Sequence, residues 1–118
     1  MITFTPQLAQ VIRPNVLDYP AEDLEPTVLP FIRDVKGKRR FWDVSPTGDY
    51  DTDWHIGERY ALELLAYLAR SQFPFLFTWV VMAMPGEEDR SGIEAGFLGT
   101  IGAWLEWIGR EALKETDA

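Results

Sequence analysis

The residues best placed to do chemistry lie in one acidic run, Asp49-Tyr50-Asp51-Thr52-Asp53-Trp54-His55-Ile56-Gly57-Glu58. Aspartates at alternate positions suit a calcium-binding loop. Such a loop also needs a turn glycine directly after its third acid and a bidentate glutamate at its twelfth position, where this chain has Trp54 and Tyr60. On a helix, Asp51, His55 and Glu58 share one face, and nitrogen and oxygen donors of that kind suit a divalent metal. The competing reading, which we favour, gives Asp49, Asp51 and Asp53 to a helix start, where carboxylates cap free amides and offset the positive end of the dipole. His55 is then an ordinary first-turn residue, and no metal or other cofactor is expected.

Nucleophilic catalysis has little material. The chain has no cysteine and a single histidine, and Ser45, Ser71 and Ser91 each stand where a turn or a cap accounts for them. No nucleophile-elbow pattern is present. Gly96, Gly99 and Gly102 recur within a helical pattern, not in the strand-to-helix loop that cradles phosphate. No catalytic residue is assigned.

Charge is divided unevenly. Met1 to Gly48 carry six Lys/Arg and six Asp/Glu, whereas Asp49 to Ala118 carry five and thirteen, which accounts for the whole net charge of −8. The basic run Arg33 to Arg40, followed by Phe41 and Trp42, has the composition of a nucleic-acid contact. The overall negative charge repels a phosphate backbone, so direct nucleic-acid binding is not expected. An acidic helical surface instead suits a protein partner with a basic surface.

At 118 residues the chain reads as one domain, and 47% apolar residues with five Trp, seven Phe and four Tyr are enough for a core. The fold class expected is α+β. Residues 1–30, punctuated by Pro6, Pro14, Pro20, Pro26 and Pro30, read as an irregular segment packed on the core, with one short helical turn near Gln7 to Ile12. Two β-favouring runs around Lys36-Gly37-Lys38 predict a hairpin over about 31–44. Helices are predicted over about 52–71, capped by Asp51 or Thr52, over 74–84, and over 92–114 behind the capping box Ser91-Gly92-Ile93-Glu94. The middle one, bounded by Pro74 and by Pro85-Gly86, also suits a buried strand; helix is preferred, as the innermost element.

The last helix has an apolar stripe of Ile93, Phe97, Ile101, Trp104, Leu105 and Ile108, and beside it Gly92, Gly96, Gly99, Gly102 and Ala103. Each interior glycine costs about 1 kcal/mol relative to alanine, so a compensating close approach of backbone is expected. Gly57 and Ala61 on the first long helix offer the matching spot, which makes contact within the domain the first reading and contact with a second copy or a partner the next.

Phe73 to Met84 is twelve residues, short of the roughly 18 a membrane span needs. Residues 1–6 lack a basic region followed by an apolar stretch, so a cytoplasmic setting away from membranes is expected. The function that fits best is a small acidic non-catalytic protein-interaction module, acting as a homo-oligomer or as a regulator or inhibitor docking on a larger partner. Its expected contact residues are Arg39, Arg40, Trp42, Tyr50 and Trp54 on the hairpin side, and Glu106, Trp107 and Glu111 on the last helix. Two alternatives stand beside it: a phage- or mobile-element-type acidic inhibitor that blocks a nucleic-acid-binding protein by charge mimicry, and a metal-dependent enzyme using Asp51, His55 and Glu58.

Overall fold

The computed structural model describes residues 13–116. The turn expected near Gln7 to Ile12 lies outside them. The fold is α+β: one antiparallel hairpin and three helices, preceded by a strap of three short 3-10 turns at Asn15–Asp18, Ala21–Asp23 and Pro26–Val28. Proline organises this strap. Pro14 and Pro20 sit just before the first two turns with φ of −65° and −60°, and Pro26 begins the third. The turns close through amides donated to proline carbonyls: Leu17 to Pro14 at 3.3 Å, Asp23 to Pro20 at 3.0 Å and Leu29 to Pro26 at 3.1 Å. Val16 and Leu29 anchor the strap in the core.

The hairpin is shorter than the 31–44 expected. Strands β1 (Arg33–Val35) and β2 (Lys38–Arg40) pair Arg33 with Arg40, Asp34 with Arg39 and Val35 with Lys38. Lys36 and Gly37 both take positive φ, 51° and 77°, as a two-residue turn matched to strand twist requires. The paired residues are largely exposed, and the flanks do the packing: Phe31, Ile32 and Trp42 are buried, and the Asp43 amide donates to the Phe31 carbonyl at 2.8 Å.

Helix α1 spans Tyr50–Ser71 and ends where Gln72 turns left-handed, its amide donating to the Leu68 carbonyl at 3.2 Å. Its cap is Asp49, not Asp51 or Thr52: Asp49 is extended and its carboxylate accepts from the Thr52 amide at 3.1 Å. Helix α2 (Phe75–Met82) confirms helix over strand, with Pro74 just outside it. After a short acidic turn at Glu87–Asp89, helix α3 runs over Gly92–Thr116. The capping box forms: Glu94 Oε1 accepts the Ser91 amide at 2.6 Å, and Ser91 Oγ accepts the Ile93 amide at 3.2 Å.

Helices α1 and α3 form the centre, and glycine sets their distance. A Cβ on Gly96 would lie 1.9 Å from the Trp54 carbonyl oxygen, one on Gly57 would lie 1.9 Å from that of Ile93, and one on Gly92 would lie 2.6 Å from that of Tyr50. Tyr50 meets Gly92, and Trp54 meets Gly96, so the two helices run in the same direction with their N-termini side by side. Two positive dipole ends then share one end of the molecule, where Asp49, Asp51, Asp53 and Glu94 supply the opposing charge. The core of Phe31, Trp42, Ala61, Leu64, Tyr67, Leu76, Val80, Ile93, Phe97 and Ile101 fills the space between this pair, the strap and α2.

Candidate interaction surface

From Gln72 to Gly86 the chain carries no charged residue, and the exposed Thr78 is the one polar side chain of α2. An eight-residue helix packed on one side can bury only a stripe. Leu76 and Val80 are that stripe, completely buried, while Phe75, Trp79 and Met82 are 68%, 44% and 78% exposed. This corrects the expectation that the element is innermost. Trp79 is fixed between two rings, Phe41 at 5.4 Å and Phe73 at 5.3 Å between centroids, both edge-on. Phe41, Trp79, Met82 and Ala83 line an open depression of about 440 Å³. The surface is therefore a rigid aromatic ledge with a flexible thioether beside it, a composition enriched where proteins meet.

Charged groups border this ledge. Arg40 immediately precedes Phe41 and is exposed, as are Lys36 and Lys38, whereas Arg39 is held by Asp34 directly opposite it, Nε to Oδ1 at 2.9 Å. That guanidinium, through its hydrogen bond, keeps the Asp34 carboxyl below the usual range. Beyond the C-terminal end of α2, Glu87, Glu88 and Asp89 are exposed.

Of the other expected contact residues, Trp42 is corrected outright. It is buried among Phe31, Tyr60 and Phe97, and its Nε1 donates to Glu94 Oε2 at 2.8 Å. Trp54 is half-buried: its carbonyl seats Gly96 and its ring lies over Gly99. Tyr50 is 60% exposed at the start of α1. Glu106 pairs with Arg110 at 3.6 Å, Glu111 pairs with Lys114 at 3.0 Å, and Trp107 is half-buried, edge-on to Trp104. Leu105, Ile108 and Leu113 are exposed on the same stretch of α3.

The metal alternative is not assembled. His55 Nδ1 approaches Glu58 Oε1 at 3.4 Å, Asp51 does not join them, and among the described residues no group of three or more His, Asp or Glu side chains is arranged to hold an ion. Much of the acidity serves the fold. Asp53 accepts from the Thr47 amide and hydroxyl at 2.9 and 2.7 Å and from the Gly48 amide at 3.3 Å. Glu63, on the middle of α1, accepts the amides of Asn15 and Val16, the latter at 2.8 Å, and Arg70 donates to the Val16 carbonyl at 2.8 Å. The strap is thus hooked to α1 by a buried carboxylate that no local pattern in the sequence announces.

These bonds carry a pH dependence. Hydrogen bonds from Thr47 hold the Asp53 carboxyl below its ordinary value, and those from Thr52 do the same for Asp49. A lowered folded-state value means that the stabilisation is present above the unfolded aspartate value of about 3.9 and is lost as pH falls through the folded one. Urea midpoints are expected to fall as pH is lowered from about 5 towards 3. Asp53→Asn is expected to lower the midpoint at neutral pH and flatten that slope; an unchanged slope would remove Asp53 from this role.

No helix among the described residues is long and apolar enough to cross a membrane. Comparison with protein-family models, with curated proteins and with solved structures finds no match to this chain.

Proposed function

We propose that the protein is a non-catalytic protein-interaction module that docks through the outer face of α2, on another copy of itself or as a regulator of a larger partner. One observation carries this reading: Phe75, Trp79 and Met82 project from the body beside Phe41. Apolar area left in water forgoes about 25 cal/mol per Å², and contiguous exposed patches of large side chains mark contact sites. Trp and Arg anchor such contacts when a partner covers them, and Trp79 and Arg40 are suitably placed. Charge mimicry draws less support, because Asp53, Glu63 and Glu94 are buried in structural hydrogen bonds and Glu106 and Glu111 are paired with cations.

A benzoylphenylalanine at position 82, activated by light in the native host, tests the reading. The expected result is a discrete adduct that is competed by excess wild-type chain and not by the Trp79→Asp, Met82→Asp double variant. Diffuse labelling that wild-type chain does not compete would overturn it.

A further inference from the structure

We infer that a groove between α1 and α3 is occupied by residues 1–12 of this same chain, turned back from Arg13 as an intramolecular cover. The groove, about 320 Å³, is lined by Leu62, Leu65 and Ala66 of α1, Trp104 of α3 and Pro14 at the start of the strap. Leu62 is buried and the other four are half-buried. Ile108, one turn beyond Trp104 on the same side of α3, is 52% exposed and lengthens the apolar strip. None of these residues belongs to the α2 ledge, and the inference does not rest on the reading of that ledge.

The point at which the chain enters the strap selects the occupant. Pro14 is itself a wall of the groove, and the residues around it are fixed. Arg59 donates to the Arg13 carbonyl at 3.5 Å and to Asn15 Oδ1 at 2.9 Å, Arg13 pairs with Asp18, and Glu63 accepts the amides of Asn15 and Val16. Ile12 stands two residues from Pro14, within about 7 Å of that wall, and Leu8 within about 20 Å. Composition matches as well. Residues 1–12 include Met1, Ile2, Phe4, Leu8, Val11 and Ile12 and no charged side chain. On the helical turn expected near Gln7 to Ile12, Leu8, Val11 and Ile12 share one face. The hydrophobic effect favours covering both surfaces together, and neither brings a charge that would have to leave water.

Tethering sets this segment above other occupants. Attached at the rim, it meets the groove at the millimolar effective concentration typical of a short link, whereas a second copy or a separate partner must first displace it. Residues 1–12 are thus a built-in competitor, and a protein that binds this groove has to release them.

Nuclear Overhauser spectroscopy on the full chain, in a sample mixed from isotopically labelled and unlabelled protein, tests the inference. Contacts are expected from the methyl groups of Leu8, Val11 and Ile12 to the Trp104 ring and the Leu65 methyls, within one chain and unchanged on dilution. Leu8→Asp with Ile12→Asp is expected to abolish them. The contact between Trp42 and Phe97, whose rings lie 4.9 Å apart in the core, is expected to persist and reports an intact fold. Contacts found only between labelled and unlabelled chains overturn the inference in favour of a second copy. Contacts from the segment to Phe75 or Trp79 overturn it in favour of the α2 face, and no contact between segment and groove overturns it outright. The wild-type spectrum alone decides among these, so the test stands even if the double variant fails to fold.

Discussion

Gly96→Ala is expected to destabilise the fold by about 3 kcal/mol or more, while Gly102→Ala on the same helix stabilises it by up to about 1 kcal/mol. The difference lies in what the new methyl group meets. At position 96 it would lie 1.9 Å from the backbone oxygen of Trp54, and backbone cannot swing aside as a flexible side chain does. The helices must separate, losing contact along their whole seam. At position 102 nothing lies within 4 Å, so alanine only removes the conformational freedom that glycine retains in the unfolded chain. Gly57→Ala repeats the first case from the opposite helix, against the Ile93 oxygen. Combined with Gly96→Ala it is expected to cost less than the sum of the two, since the first substitution already parts the pair. Urea unfolding followed by circular dichroism measures all four proteins, and equal midpoints for the 96 and 102 variants would contradict this packing.

Glu94→Ala is the second large effect, expected at about 3 kcal/mol, or roughly 12 °C in melting temperature for a domain of this size. One carboxylate holds two distant parts of the chain. Oε1 accepts the Ser91 amide and completes the start of α3, and Oε2 accepts Trp42 Nε1 from the segment after the hairpin. Removing it takes away a cap worth about 1 kcal/mol and strands a buried indole donor at about 1–3 kcal/mol. Glu94→Gln keeps the volume but turns an NH2 group towards one of two donors, so an intermediate loss of about 2 kcal/mol is expected. Trp42→Phe removes the indole donor and should shrink the cost of Glu94→Gln. If that cost is the same in both backgrounds, the Trp42 bond does not hold the hairpin segment to α3.

What could be read in the sequence was local. Lys36-Gly37 specifies a turn, Ser91 to Glu94 specifies a helix start, and interior glycines at 57 and 96 demand a close neighbour, because each signal depends on residues within a few positions or on a cost that must be offset. The N-terminal prolines were legible as a bar to long elements, but not as the organisers of three turns, since closure of the strap depends on Glu63 and Arg70 much further along the chain. Trp42 was misplaced for the same reason: its partner lies 52 residues away. The face of α2 was hidden by uniformity. A helix whose one polar side chain is Thr78 gives no periodic signal of which side looks outward, and its apolar run suggested burial throughout. The limit becomes visible only from the supply of covers. One hairpin, one strap and two long helices cannot enclose a third helix on every side.

The contact between Gly96 and the Trp54 carbonyl also constrains ancestry. At positions 57, 92 and 96 any side chain forces the two backbones apart, while at 102 and 109 a methyl group would meet nothing. A relative that keeps this pair of helices at the same distance is expected to keep glycine at the three positions. A lineage that has outrun overall sequence similarity would still be recognisable by that spacing.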